Sequence, residues 1–523
     1  MGSDAALKEA LLTDTESGDA QHRNSGAPCD GEAGMNAGDD SIKFGTSDVG
    51  KEFGSDVLIE IKITSKLAWP LILFNVVFFS IPVATLMFVG HLGELELSSA
   101  SIASSFGMVT AFTVMLGLAS TLETLCGQAY GAKNYRMLGV YLQSSYIVCT
   151  GAAFLILALW MNVAAILKAM GQDPEIARLA ERYLMYMSPG VFGAGILRPT
   201  VKFLQSQSVV MPVLLCSFVA FAFHIPCCYI MIHVLEFGFI GGAVSNAITY
   251  QFLTVLVFLY SWLSGSCKHT LTGFTWEAFS YLDVYLKLAI PSTFMLCLEF
   301  WTAEILVLAS GLLPNPQLQL SLLSISLSTT NLASMIPNGL SGAAGTRVAN
   351  ELGAYRPQAA KLAGKVIMTI SVVSTCIVAG CILVFRDVWG KAFSNVDEVL
   401  QSVRHLTPLI ALAAFMDGIQ GVLSGIARGC GRQDMGAFIN LTAYYIFGIP
   451  SGFYLGFSRG IGAEGLWIGL LIGDLVQTVL LATLVLTTNW DKMADDAVRR
   501  VACKTALPEY VEDQQSLVVE QHH

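Results

Sequence analysis

Charge is what this 523-residue chain lacks most. Asp, Glu, Lys and Arg make up 13% of it, about half of the globular norm of roughly 25%. Hydrophobic residues make up 54%, and mean hydropathy is +0.61. Such a chain cannot cover a soluble surface with polar side chains, so lipid is the expected solvent for most of it. A concentrated basic face is missing, which argues against nucleic acid as a partner. Metal and nucleophile motifs are missing too. The twelve cysteines form no CxxC pair, and the eight histidines are scattered without an HExxH. We therefore expect no metal, no cofactor and no enzyme activity, and read most cysteines as small buried hydrophobes. Residues 1–56 contain no apolar stretch of the kind a signal peptide needs.

What charge there is sits at the ends. Residues 1–65 carry 13 acids against 5 bases, and residues 491–523 carry 7 against 4. The body between them is close to neutral although the whole chain carries −10. We read 1–65 as a disordered acidic tail and 491–523 as a second tail. Twelve apolar runs lie between, centred near residues 78, 108, 150, 190, 221, 251, 297, 330, 370, 413, 445 and 477. Each is long enough for a spanning helix of roughly 20 residues. The longest polar break, 266–281, divides them six and six: 66–265 and 282–490. Lys133, Arg136, Arg198, Lys202, Lys268, Arg347, Arg356, Lys361, Arg428 and Arg432 follow even-numbered spans. Positive residues favour the cytosolic side, so both termini are expected there. Arg386 and Lys391 after span nine are the exception.

The second half echoes the first at a nearly constant offset. Gly117-Leu118, Thr124 and Gly131-Ala132 recur at one spacing as Gly339-Leu340, Thr346 and Gly353-Ala354. One position further along, Gly195-Ile196 recurs as Gly418-Ile419 and Gly242 as Gly465. One further still, Pro226 recurs as Pro450. Six spans repeated in the same orientation imply two lobes related by an axis along the membrane normal. Transporters of that build commonly hold solute between the halves.

Acids inside spans cost about 2.5–3.5 kcal/mol on insertion scales and need a reason. Glu299 and Asp417 stand mid-span with no Lys or Arg nearby in sequence. Desolvation disfavours a charged carboxyl and an opposing cation favours it, so proton and organic cation can compete for one carboxyl. Glu304 follows Glu299 by five residues and points about 140° away on a regular helix. Asp474 shows no partner and reads as structural. Glu123 reads as an anchor near a span end, pairing with Lys133 or Arg136. Span one contains no acid, and Asn75 is its main polar side chain before Ser80. Proton coupling is thereby expected in the second lobe. Pro291 and Pro408 precede the two acids by eight and nine residues. Each removes a helix hydrogen bond, so bending there is expected to accompany protonation. The sequon Asn440-Leu441-Thr442 lies inside a span, where modification is not expected.

Several stretches resemble the multidrug and toxic compound extrusion (MATE) family of its plant type. They are Phe88 to Gly93, Leu122 to Ala132, Ser310 to Pro316, Arg347 to Ala354 and Gly421 to Gly429. The resemblance runs in order over roughly 60–490. It implies an all-α fold of two six-helix lobes forming a V around a central cavity. It also implies a proton-driven antiporter that exports small organic, often cationic, solutes. The family's second-lobe acids in spans seven and ten match Glu299 and Asp417, and one branch carries a further acid at the spacing of Glu304. The cavity wall is expected to include Asn75, Gln205, Gln207, Ser328, Asn331, Tyr444 and Tyr445. An exporter of anionic metabolites or lipid-linked compounds, or a non-transporting receptor, would share this architecture. The expected partners are a small organic solute, protons and the bilayer, with the chain acting as a monomer. The vacuolar and plasma membranes are the two candidate locations.

Overall fold

In lipid, every backbone polar group must be satisfied within the chain, and helices do this segment by segment. The computed structural model describes residues 49–265, 267–271, 273–389 and 397–502, and among these it contains helices and no strand. Twelve helical segments coincide with the twelve apolar runs. The first six are α1 (Asp56–Gly90), α2 (Glu94–Gly131), α3 (Tyr135–Trp160), α4 (Pro174–Ser206), α5 (Met211–Val234) and α6 (Gly238–Leu263). The second six begin with α7 (Leu282–Ser310) and α8, which is broken at Ser334 into Pro316–Ala333 and Met335–Gly353. Next come α9 (Pro357–Val384) and α10 (Leu400–Gly429). The helix α11 alternates α-helix (Gln433–Asn440, Ile449–Phe453) with π-helix (Leu441–Gly448, Tyr454–Ser458). Then follow α12 (Ala463–Leu486) and an amphipathic α13 (Trp490–Ala502).

Nine of these, among the described residues, are long and apolar enough on their own to cross a membrane. The other three have visible reasons. Charges Glu175, Arg178, Glu181 and Arg182 crowd the start of α4, α8 is interrupted, and α11 changes hydrogen-bond pattern. The start of α4 is fixed by Asp173, whose Oδ1 accepts from the backbone N–H of Glu175 at 2.8 Å, with Pro174 at the first helical position.

Helices α2–α6 pack chiefly on one another, as do α7–α12, giving two lobes that meet along α2, α7 and α8; α1 packs on the first lobe through Phe74, Phe78 and Val89 and on the second through Leu67, Ala68 and Leu71. The repeat read from sequence is written into the backbone. Left-handed residues pair across the halves: Lys133 (φ 57°) with Tyr355 (φ 56°), Ser208 (φ 62°) with Gly431 (φ 76°), and Gly238 (φ 51°) with Gly462 (φ 75°). Their separations match the offset of the sequence repeat. A left-handed φ is costly for most side chains, so its recurrence marks equivalent turns.

Three readings of the chain's ends and loops change. Residues 56–65, read as tail, belong to α1, and the buried Glu60 in them binds Arg347 Nη2 at 2.7 Å. Residues 491–502, also read as tail, lie in α13, which buries Met493, Ala494, Ala497 and Val501. Arg198 and Lys202 are not loop residues, because α4 continues to Ser206. The remainder of both tails, 1–48 and 503–523, lies outside the described residues. The stretch before α7 docks on α3, where Arg136 Nη2 meets Glu277 at 2.5 Å and Ser144 donates to the Ala278 carbonyl at 2.9 Å.

Candidate functional site

The second lobe brings three of its membrane acids near one another: Asp474 is buried, and Glu299 and Asp417 are half-buried. Glu299 projects from α7 and Asp417 from α10. Gln420, one turn beyond Asp417, donates from Nε2 to Glu299 Oε1 at 3.1 Å and to Asp417 Oδ1 at 2.8 Å. One amide thus ties two carboxylates on two helices. Among the described residues neither acid makes a salt bridge. Behind them, α11 and α12 add a second tier. Tyr444 donates to Asp474 at 2.9 Å and to Gln477 at 2.6 Å. Gln477 donates to Asn440 Oδ1 at 2.8 Å, and Asn440 donates to the Met295 carbonyl on α7 at 2.6 Å. Asp474, read as a structural acid with no partner evident, has a partner in Tyr444 and belongs to this second tier. Asn440 is buried and committed, as a sequon inside a span should be.

The other expected site residues scatter. Glu304 is half-buried on α7, and among the described residues no hydrogen bond joins it to the cluster. Tyr445 packs beside the apolar core that holds Leu306 and Ile410. Ser328 and Asn331 lie on an exposed face of α8. Asn75 is half-buried and makes no hydrogen bond among the described residues. Pro291 and Pro408 sit within helices that run on past them. Gln205 and Gln207 are buried near the end of α4. Gln205 is buried in contact with α8, donating to the Gly342 carbonyl and to Thr346 Oγ1, both at 2.9 Å. Gln207 is buried below it and accepts from Thr270 at 2.9 Å. Both are held by hydrogen bonds to neighbouring elements.

The first lobe holds a buried polar cluster with no carboxylate. Thr85 on α1 donates to Asn246 on α6 at 3.0 Å and lies 3.0 Å from Nε2 of His224 on α5. His224 Nδ1 lies 2.7 Å from Thr249 Oγ1, and Asn246 donates to the Tyr183 hydroxyl at 3.4 Å. The polar residue of span one that enters a network is thus Thr85, not Asn75.

A third set of residues closes the two lobes against each other where α2, α4, α8 and α10 end. Glu123, buried on α2, binds Lys202 of its own lobe and accepts from Arg428 Nε of the other at 3.1 Å. These are its partners, not Lys133 or Arg136. Around this ion triad the contacts are reciprocal. Gln128 donates to the Gly429 carbonyl and Asn350 to the Ser206 carbonyl, each at 3.2 Å. A Cβ on Gly131 would overlap the Asn350 carbonyl, and one on Gly353 would overlap the Gln128 carbonyl. Each member of one contact stands at the repeat offset from its counterpart in the other. Both described chain ends lie on this face. Glu60 binds Arg347, and α13 places Arg500 Nη1 3.2 Å from Gln128 Oε1.

Two six-helix lobes joined by a repeat, with an acidic cluster in one of them, define a membrane transporter rather than an enzyme. Residues 70–230 and 291–454 match the MatE family model. The chain belongs to the MatE family. It is 44% identical over 465 residues to Protein DETOXIFICATION 16 of Arabidopsis thaliana, covering 89% of this chain and 96% of that one. It is 41% identical to Protein DETOXIFICATION 14 of the same plant, over 85% and 92%. The crystal structure of the eukaryotic MATE transporter AtDTX14 superposes with a TM-score of 0.83 at 40% identity, over 85% of this chain and all of that one. An outward-facing multidrug resistance MATE transporter shares the fold, with a TM-score of 0.74 at 15% identity.

Proposed function

We propose that this transporter exports small organic solutes from the cytosol in exchange for protons, and that protons enter and leave through Glu299 and Asp417. The observation that carries the reading is the single amide of Gln420 shared by two membrane carboxylates that have no salt bridge among the described residues. Two acids held that close repel when both are charged, and a proton or a cation relieves the repulsion. Glu299 belongs to α7 and Asp417 to α10, so loading the pair changes the force between two helices of one lobe. Tyr444 and Gln477 couple that change to α11 and α12. Organic cations compete with protons for the same oxygens, which makes amphipathic cations the first solutes to test. The seam at Glu123 faces the cytosol in this reading, as do both chain ends. The vacuolar and the plasma membrane both fit, since proton antiport across either clears solute from the cytosol. The chain acts as a monomer.

Purified protein in vesicles with an acid interior supplies the test. A panel of organic cations and anions is added outside while interior pH is followed. Solute-dependent proton efflux in the wild type, lost in Asp417→Asn, is the expected result. Equal efflux in wild type and Asp417→Asn would place coupling elsewhere.

A further inference from the structure

A second charged group in the membrane domain has no use in the proton pathway. Arg198 lies on α4, two turns before its end, and its side chain is turned into the first lobe. The guanidinium carbon stands 4.2 Å over the ring centroid of Phe78 on α1. Phe78 in turn packs on Tyr250 of α6 at 5.4 Å. Among the described residues Arg198 forms no salt bridge and no hydrogen bond, and its Nε is fully covered without an acceptor. The residue as a whole stays partly exposed.

An unpaired cation within a membrane span is costly, and a covered donor with no acceptor needs an explanation. Nearby carboxylate does not supply one. Glu123, one helix away, is committed to both Lys202 and Arg428. Snorkelling to the lipid interface does not supply one either, because the head group is stacked on α1 inside the lobe. Guanidinium stacked on aromatic rings keeps its planar edge free for a bidentate contact with a carboxylate or similar anion.

We propose that Arg198 is an anion-binding point for transported solute, and that the solutes are organic compounds bearing a carboxylate or comparable small acidic group, zwitterions included. The acid docks on the Nη edge of Arg198, and the buried Phe78 and Tyr250 back the guanidinium. The first lobe then holds the solute while the second handles protons. An added positive group on the solute is tolerated, since the second lobe offers carboxylates. The proposal rests on the reading of this chain as a solute transporter, but not on where protons bind.

The test measures binding to the purified full chain in detergent, without a gradient, using 2-naphthoate and the matched neutral 2-naphthamide. Wild type is expected to prefer naphthoate by about ten- to a hundredfold, the range for hydrogen bonds to a charged group. In Arg198→Gln the two affinities become equal, and in Arg198→Lys part of the preference remains. A companion measurement needs no variant: naphthoate, but not naphthamide, protects Arg198 of the wild type from phenylglyoxal, read by mass spectrometry. No preference in the wild type, a preference retained in Arg198→Gln, or equal protection by both compounds would each overturn the proposal. None of these results touches proton flux, so failure here and failure of the coupling site remain distinguishable.

Discussion

The two lobes repeat one fold and fill it with different chemistry. In the first lobe the buried cluster is His224, Thr85, Thr249, Asn246 and Tyr183. It contains donors and acceptors in balance and no acid. In the second lobe Gln420 joins Glu299 and Asp417, and behind them Tyr444 joins Asp474 and Gln477. A balanced cluster of neutral groups serves a fold by satisfying itself. A cluster with three acids and no salt-bridged cation among the described residues holds unspent capacity to bind something positive. The duplication kept the helices, the turns and the inter-lobe contacts, and placed the acids without a salt bridge on one side only.

That contrast can be broken at four points. The largest effect is expected from Gln420→Leu, which removes the amide that joins the two acids. Solute-driven proton flux should fall by at least tenfold while the protein still inserts and binds solute; unchanged flux would dissociate the bridge from coupling. Next comes the seam. Glu123→Gln leaves Lys202 and Arg428 buried without a carboxylate, a loss of about 3–5 kcal/mol for a broken buried pair. A lowered melting temperature in detergent, and a wider spin-label distance across the α2–α8 crossing, are the expected readings. The reciprocal glycines offer a symmetric version. Gly131→Ala and Gly353→Ala should weaken closure by similar amounts, because each added Cβ meets backbone at an equivalent place. Gly151→Ala, where a Cβ meets nothing within 4 Å, should leave the same distance unchanged. A difference between the first two would show that the repeat is structural but not energetic. The smallest effect is expected from Thr85→Ala. It leaves one buried acceptor short of a donor, about 1–3 kcal/mol, and lowers thermal stability without altering the number of protons moved per solute.

Much of this was legible in the sequence, and the parts that were not share a cause. All twelve apolar runs became helices, because in lipid a long apolar run has few alternatives. Glu299 and Asp417 stood out because an acid in such a run is rare. Their bridge, Gln420, was not legible: a neutral amide one turn from an acid looks like any other polar residue on a helix. Asp474 and Tyr444 lie on different helices, well apart along the chain, so no spacing rule connects them. Arg198 and Lys202 looked like the end of a span, whereas α4 continues to Ser206. Charge at a helix end and charge turned into the protein are identical in sequence. The repeat offset was visible as matching glycines. That Gly131 and Gly353 each receive the other half's carbonyl became visible only when the halves were seen together.

The claim that coupling belongs to the acidic lobe alone is tested most directly by one comparison in vesicles. Glu299→Gln and His224→Gln each remove the titratable group at the centre of one cluster. With an acid interior and a transported solute outside, the number of protons released per solute taken up is measured for both variants and the wild type. The account predicts that Glu299→Gln releases no protons with solute, while His224→Gln keeps the wild-type ratio even if its total flux is lower. A changed ratio in His224→Gln, or an unchanged ratio in Glu299→Gln, would contradict it.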